Sequence, residues 1–277
     1  MIQFKELGFS PDILNAVREL GFDHPMPVQE EVIPLMLGNN QDIIALAQTG
    51  TGKTAAFGLP LIQTTDTQLN VTQTLILCPT RELCVQITGD LNDFARFKGK
   101  LKILAIYGGA SYENQIRSLD RGVHIIVATP GRLIDLINRR VVNLSAVSTV
   151  ILDEADEMLN MGFLDSINEI LETVPDSRRT LLFSATMSPD IAAIARKYMN
   201  NPVEITIGTK NASADNVSHA YYLVHAKDKY KVLKRIADSE PEIYGIIFCR
   251  TRKETQEVAS NLINDGYNAD ALHGDLS

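Results

Sequence analysis

Residues 47–54 read AQTGTGKT, a glycine-rich run that follows an apolar stretch and opens a helix-like one. That setting suits a loop that cradles a polyphosphate. Gly50 and Gly52 let successive backbone N–H groups face the phosphates. Lys53 is placed to reach the β and γ phosphates, and the Thr54 hydroxyl to bind Mg²⁺. Ala47 stands where the usual pattern has its first glycine. About a hundred residues later comes VILDEAD, residues 150–156, an apolar run ending in adjacent carboxylates. Beside a phosphate loop, Asp153 suits Mg²⁺, directly or through water, and Glu154 suits an attacking water. Alone, each motif has a plainer reading. The first would be a strand–helix turn, the second an acidic first helical turn that favours the dipole. Together they point to triphosphate chemistry.

The elements that must position these residues alternate. Short apolar runs lie at 42–47, 73–79, 102–109, 123–130, 148–154, 179–185 and 202–208. Most are apolar throughout, which suits strands buried on both faces. Helix-like segments fall between them at 53–62, 81–94, 111–119, 132–138 and 190–199, the last capped by Ser188 and Pro189. Such alternation predicts an α/β fold, a parallel sheet with helices on both faces. Ligands bind beyond the carboxyl ends of the strands in such sheets, so the polar motifs are expected along one edge. Residues 209–218 are polar and aperiodic, a linker. A second alternating pattern follows, with strands expected near 219–226, 244–250 and 267–274 and helices near 229–237 and 253–264.

Composition narrows the class. The chain has 277 residues, 45% hydrophobic and 22% charged, which suits a folded globular protein. Lys and Arg number 26 against 34 Asp and Glu, so bulk charge does not capture nucleic acid. Cys78, Cys84 and Cys249 read as small apolar side chains in a reducing compartment. The five histidines show no metal-ligand spacing with them. The chain start lacks a basic segment followed by an apolar core, and no apolar run reaches about 18 residues. A cytoplasmic protein is expected.

More motifs join the first two. In order they are AQTGTGKT, PTREL at 79–83, GG at 108–109, TPGR at 129–132, DEAD at 153–156 and SAT at 184–186. Upstream stands GFDHPMPVQ at 21–29, with Phe4 seventeen residues before Gly21. In order and approximate spacing this set closely resembles the DEAD-box RNA helicases, most of all bacterial members. IIFCRTR at 246–252 and HGDLS at 273–277 resemble the start of that family's second RecA-like domain.

The resemblance implies a RecA-like phosphate-loop domain at 1–208 with its Q-motif at 2–30, a linker at 209–218, and a partial second RecA-like domain at 219–277. It implies ATP and Mg²⁺, with Lys53, Asp153 and Glu154 catalytic and Thr54 and Asp153 at the metal. Gln29 would read adenine with its carboxamide, Phe22 would stack on the base, and Phe4 would support the pocket. Thr49, Gly50, Thr51, Gly52, Lys53 and Thr54 would hold phosphates and metal. Ser184 and Thr186 would bond toward Asp156 and couple nucleotide state to RNA. RNA would be touched by Pro79, Thr80, Arg81, Gly108, Gly109, Thr129, Pro130, Gly131 and Arg132. These types suit phosphate and sugar rather than base edges, so binding to single-stranded RNA is expected to be sequence-independent. The plainer reading of Arg81 and Arg132 is a surface salt bridge, to Glu82 and toward Asp135.

The family's later arginine-rich motifs do not occur in these residues. An arginine finger is worth about 10³–10⁵ in rate in related phosphoryl-transfer enzymes. The chain by itself is therefore expected to bind nucleotide weakly and turn it over slowly. The activity implied for the whole protein is ATP hydrolysis coupled to local separation of short RNA duplexes, by a monomer. An ATP-gated RNA clamp, or a helicase directed at DNA, shares enough of the motifs to stand as an alternative.

Overall fold

The computed structural model describes residues 2–38, 40–208, 218, 220–240 and 242–275. The chain divides into two compact units, Met1–Asp215 and Asn216–Ser277. The boundary falls in the polar segment 209–218. Residues 209–217 of that segment lie outside the described residues, as do His219, Leu276 and Ser277.

Among its described residues the first unit is built on seven parallel strands in the order β3-β4-β2-β5-β6-β1-β7. They are β1 (Ile43–Leu46), β2 (Thr74–Leu77), β3 (Ile103–Ile106), β4 (Ile125–Ala128), β5 (Thr149–Leu152), β6 (Arg179–Ser184) and β7 (Val203–Thr206). Each lies inside an expected apolar run. Among the described residues nine α-helices accompany them: α1 (Pro11–Glu19), α2 (Pro27–Gly38), α3 (Lys53–Thr64), α4 (Arg81–Phe94), α5 (Tyr112–Asp120), α6 (Pro130–Asn138), α7 (Ala155–Asn160), α8 (Leu164–Thr173) and α9 (Pro189–Tyr198).

Strand side chains alternate faces, and here both faces are covered. Ile43, Ala45, Ile76, Val127, Ile151 and Phe183 pack with α1 to α4. Ile44, Leu46, Leu77, Ile126, Leu152 and Leu182 pack with α5 to α9. Successive residues of a run therefore face opposite helical layers, and the runs must be apolar throughout. Cys78 and Cys84 are fully buried free thiols on the first of these layers.

The hydrogen-bond ladder continues one residue past several strands. Ala47 donates to Ser184, Cys78 to Ala128, Thr129 to Ile106 and Asp153 to Leu77, at 2.9–3.0 Å. The motif residues thus leave from fixed strand tips. The opposite edge is held by Asp42, which accepts from the N–H groups of Thr180 (2.7 Å) and Asn200 (2.6 Å). Lys98 caps the carbonyls of Ile62 and Gln63, because the end of α3 leaves them unpaired.

The second unit holds α10 (Lys229–Ser239) and α11 (Arg252–Asn264), close to the expected bounds. They are joined through Asp265, which accepts from the Tyr230 hydroxyl at 2.7 Å and pairs with Lys234 at 2.9 Å. Here one expectation fails. No strand forms among the described residues of 220–275. Leu223, Tyr244 and Phe248 are more than nine-tenths exposed. A strand buried on both faces needs neighbouring strands and two helical layers, and α10 and α11 alone do not supply them.

Candidate functional site

All six motifs following β1 to β6 emerge at the carboxyl ends of the strands, as the topology requires. One end of this edge forms a cleft of about 790 Å³. Phe22, Gln29, Thr49, Gly50, Gly52, Lys53, Thr54, Asp153 and Glu154 line it. Phe4 and Thr51 do not. Phe4 is buried behind Phe22, ring centroids 6.5 Å apart and nearly parallel, and Phe22 leans its edge toward Phe94 at 6.2 Å. Thr51 turns its hydroxyl back to the Gln48 carbonyl at 2.7 Å.

The loop between β1 and α3 owes its path to two glycines at positive φ, Gly50 (78°) and Gly52 (84°). At Gly52 the constraint is double. A Cβ there would lie 2.4 Å from Gln29 Nε2 and 2.8 Å from Met26 Sδ. Glycine at this helix start contributes no capping side chain, so the first N–H groups of α3 stay available to an anion. Lys53, buried, donates to the Ala47 carbonyl at 3.1 Å.

Gln29 shows something the motif pattern did not. Its carboxamide accepts from Met26 N–H at 2.9 Å and donates to the Gly52 carbonyl at 3.1 Å. One side chain thus ties the Q-motif to the phosphate loop. Each polar end keeps one free hydrogen or lone pair for a ligand.

Asp153 sits buried at the tip of β5, its Oδ1 accepting from Glu154 N–H at 3.1 Å. Burial pushes its carboxyl up to about 6, Lys53 pulls it back, and Glu154 adds to the rise. Glu154 itself takes φ 50° and ψ 51°. That left-handed geometry costs a non-glycine residue about 1–2 kcal/mol and persists where the surroundings impose it. Asp156, one turn on, accepts from Ala185 N–H (3.1 Å), Thr186 N–H (3.0 Å) and the Thr186 hydroxyl (3.1 Å). So Thr186 meets Asp156 as expected. Ser184 does not. It is fully buried, and its hydroxyl donates to the Thr186 carbonyl at 2.8 Å, which folds the SAT turn onto itself.

The other end of the edge carries the remaining loops. Thr80 caps α4 by accepting from Leu83 N–H at 3.2 Å. Gly108, Gly109 and Gly131 are exposed, and Thr129 is half-buried. Pro79 and Pro130 are buried. Pro130 fills the first turn of α6, where its missing N–H costs nothing. Arg81 does pair with Glu82, at 3.5 Å, both well exposed. Arg132 makes no pair with Asp135, which Arg139 takes at 3.0 Å. Arg132 instead donates to Gln115 Oε1 at 2.9 Å and to the Ala110 carbonyl at 3.4 Å.

Among the described residues no cluster of three His, Cys, Asp or Glu is arranged for a metal, and no helix is long and apolar enough to cross a membrane.

Residues 26–194 match the family model for the DEAD/DEAH box helicase. Over 277 residues the chain is 45% identical to the DEAD-box ATP-dependent RNA helicase CshA of Geobacillus kaustophilus, covering all of this chain and 59% of that one. It is also 45% identical to the ATP-dependent RNA helicase CshA of Listeria monocytogenes, of which it covers 53%. The chain thus spans between half and three fifths of the length of these curated relatives. In structure it resembles a DEAD box protein from the hyperthermophile Methanococcus jannaschii, with a TM-score of 0.72 and 42% identity, over all of this chain and 74% of that one. The seven-stranded sheet is RecA-like, and with these motifs at its strand tips the chain belongs to the DEAD/DEAH box helicase family.

Proposed function

We propose that the chain is the nucleotide-binding part of an ATP-dependent RNA helicase, which grips single-stranded RNA without reading its sequence and couples ATP hydrolysis to local duplex separation. The single cleft that brings Gln29, the 49–54 loop and the Asp153–Glu154 pair together carries this reading. In it Phe22 stacks on the base over Phe4, and the spare donor and acceptor of Gln29 meet adenine. The N–H groups of residues 50–54 and Lys53 take the phosphates.

Mg²⁺ fits the donor set. Thr54 and Asp153 are oxygen donors on one cleft, and a buried carboxylate whose ionised form is disfavoured gains most from a cation. When bound, the ion neutralises charge on the transferring phosphoryl group. Glu154, held at the cleft by its left-handed backbone, orients the attacking water and accepts its proton. Asp156 senses the nucleotide end through Asp153 and Glu154 and grips the SAT turn with three hydrogen bonds. This gives a route from the cleft along the backbone to Asp156 and then through hydrogen bonds to Ala185 and Thr186.

Arg81, Arg132, Thr80, Thr129 and the N–H groups of Gly108, Gly109 and Gly131 contact phosphate and sugar. Residues 1–208 form the ATP-binding domain, and residues 219–277 contribute part of a second RecA-like domain. Binding of a fluorescent ATP analogue with Mg²⁺, competed by ATP and GTP, tests the nucleotide half. Stronger competition by ATP is expected. Equal competition would remove Gln29 as the reader of the base.

A further inference from the structure

The loop that leaves β3, residues 107–111, lies between the two arginines of the proposed RNA site. Arg81 stands over the Tyr107 ring, 5.8 Å from its centroid, and a Cβ on Gly109 would lie 3.1 Å from Arg81 Nη1. Arg132 holds the other side through the Ala110 carbonyl. Between them is a side chain that no motif contains. Gln115, on α5, is the one buried residue of that helix, only 4% exposed. Its Nε2 donates to the Tyr107 carbonyl at 3.2 Å, and its Oε1 accepts from Arg132 at 2.9 Å.

A buried carboxamide is costly unless its polar ends are paired. On α5 the neighbouring Ile116 and Leu119 pack against the apolar layer, so an apolar side chain would suit the packing at least as well. What glutamine adds is two directed bonds, one to the 107–111 loop and one to Arg132 on α6. The Arg132 guanidinium also lies over the Tyr112 ring, at 5.5 Å, so it is held from below as well as from the side. An arginine kept in one rotamer retains more of its binding energy than one that must be ordered by the ligand.

We infer that Gln115 is a positioning residue of the RNA site: it bridges the Gly108–Gly109 loop to Arg132 and fixes the spacing of these two phosphate-facing elements. This rests on the proposed reading of Arg132 as an RNA contact. Gln115 touches no RNA itself, since it is buried.

The test is fluorescence anisotropy of a labelled oligouridylate RNA on the whole chain, with Mg²⁺ and a non-hydrolysable ATP analogue. Wild type, Arg132→Ala, Gln115→Met, Gln115→Leu and the double variant Gln115→Met/Arg132→Ala are compared. Affinity for the ATP analogue, measured without RNA, serves as the check on folding. Arg132→Ala is expected to weaken RNA binding about tenfold and either Gln115 variant about fivefold, with nucleotide affinity kept. In the double variant the Gln115 change should add nothing to the loss from Arg132→Ala. A Gln115 effect that persists in full in the Arg132→Ala background marks mere packing and overturns the inference. So does a parallel fall in nucleotide affinity in both Gln115 variants. Unchanged RNA binding in Gln115→Met alongside a loss in Arg132→Ala overturns the inference and leaves the RNA site standing. Unchanged binding in Arg132→Ala, or no binding by wild type, overturns both.

Discussion

The two ends of the strand-tip edge are built differently. At the proposed nucleotide end the key side chains are buried and already committed to the protein's own backbone. Lys53 bonds to Ala47, Gln29 to Met26 and Gly52, and Asp153 is held back from ionising. At the other end the arginines are partly exposed, resting on tyrosine rings and one glutamine. A cleft with the proposed role, telling one base from another and stabilising developing charge, gains from preorganised, dehydrated groups. A surface with the proposed role, accepting RNA of any sequence, gains from charges that reach phosphate. Substitutions should therefore act steeply at the first end and shallowly at the second.

The largest effect is expected at Lys53. Lys53→Ala should lower affinity for Mg·ATP about a hundredfold, since a charge-assisted bond in a buried site is lost. A fall below threefold, measured by titration with a fluorescent analogue, would break the contrast. Gly52→Ala comes next. Its φ of 84° and the 2.4 Å approach to Gln29 displace the carboxamide. Thermal stability should fall by about 2 kcal/mol, and preference for ATP over GTP should shrink as well.

Asp153 gives a test with a definite sign. Its folded carboxyl titrates near 6, above the ordinary 3.8, so the folded state holds the proton more tightly. Its contribution favours the fold below pH 4 and is lost as pH rises through 6, by up to about 3 kcal/mol. Asp153→Asn should therefore raise the melting temperature at pH 7.5, with the gain vanishing near pH 4. A stabilisation independent of pH would show that the ionised carboxylate is already compensated. In wild type, Mg·ATP affinity should also decline as pH falls below 6.

The smallest effect is expected at Arg81. Its pair with Glu82 is solvent-exposed and worth well under 1 kcal/mol, so Arg81→Ala should leave the melting temperature unchanged. RNA affinity should fall only about threefold. A loss as large as that for Lys53 on ATP would place Arg81 in a site of the first kind.

Much of this edge was legible beforehand because its signals are local. An apolar run names a strand, and a glycine-rich turn before Lys53 names a loop. The strand expectations failed at 220–226, 244–250 and 267–274, where the same kind of run lacks partners. Residue type records a capacity for burial, while burial itself depends on what lies alongside. The burial of Pro79 and Pro130 was illegible for a related reason, since a motif lists positions without saying which face the protein. Gln115 left no signal, because its partners lie 8 and 17 residues away and meet it only across the folded sheet edge.

The sequence alone determined the alternation of strand and helix through β7, the place of residues 47–54 and 153–156 after strands, and the family. Those follow from periodicity and from side chains close together in the chain. Only the tertiary structure decided that Gln29 grips the phosphate loop, that Asp156 holds Thr186 while Ser184 turns away, and that Arg132 answers to Gln115 rather than Asp135. These pairings join residues up to thirty positions apart, and hydrogen bonds of fixed length and direction select among them once the strand tips are in register.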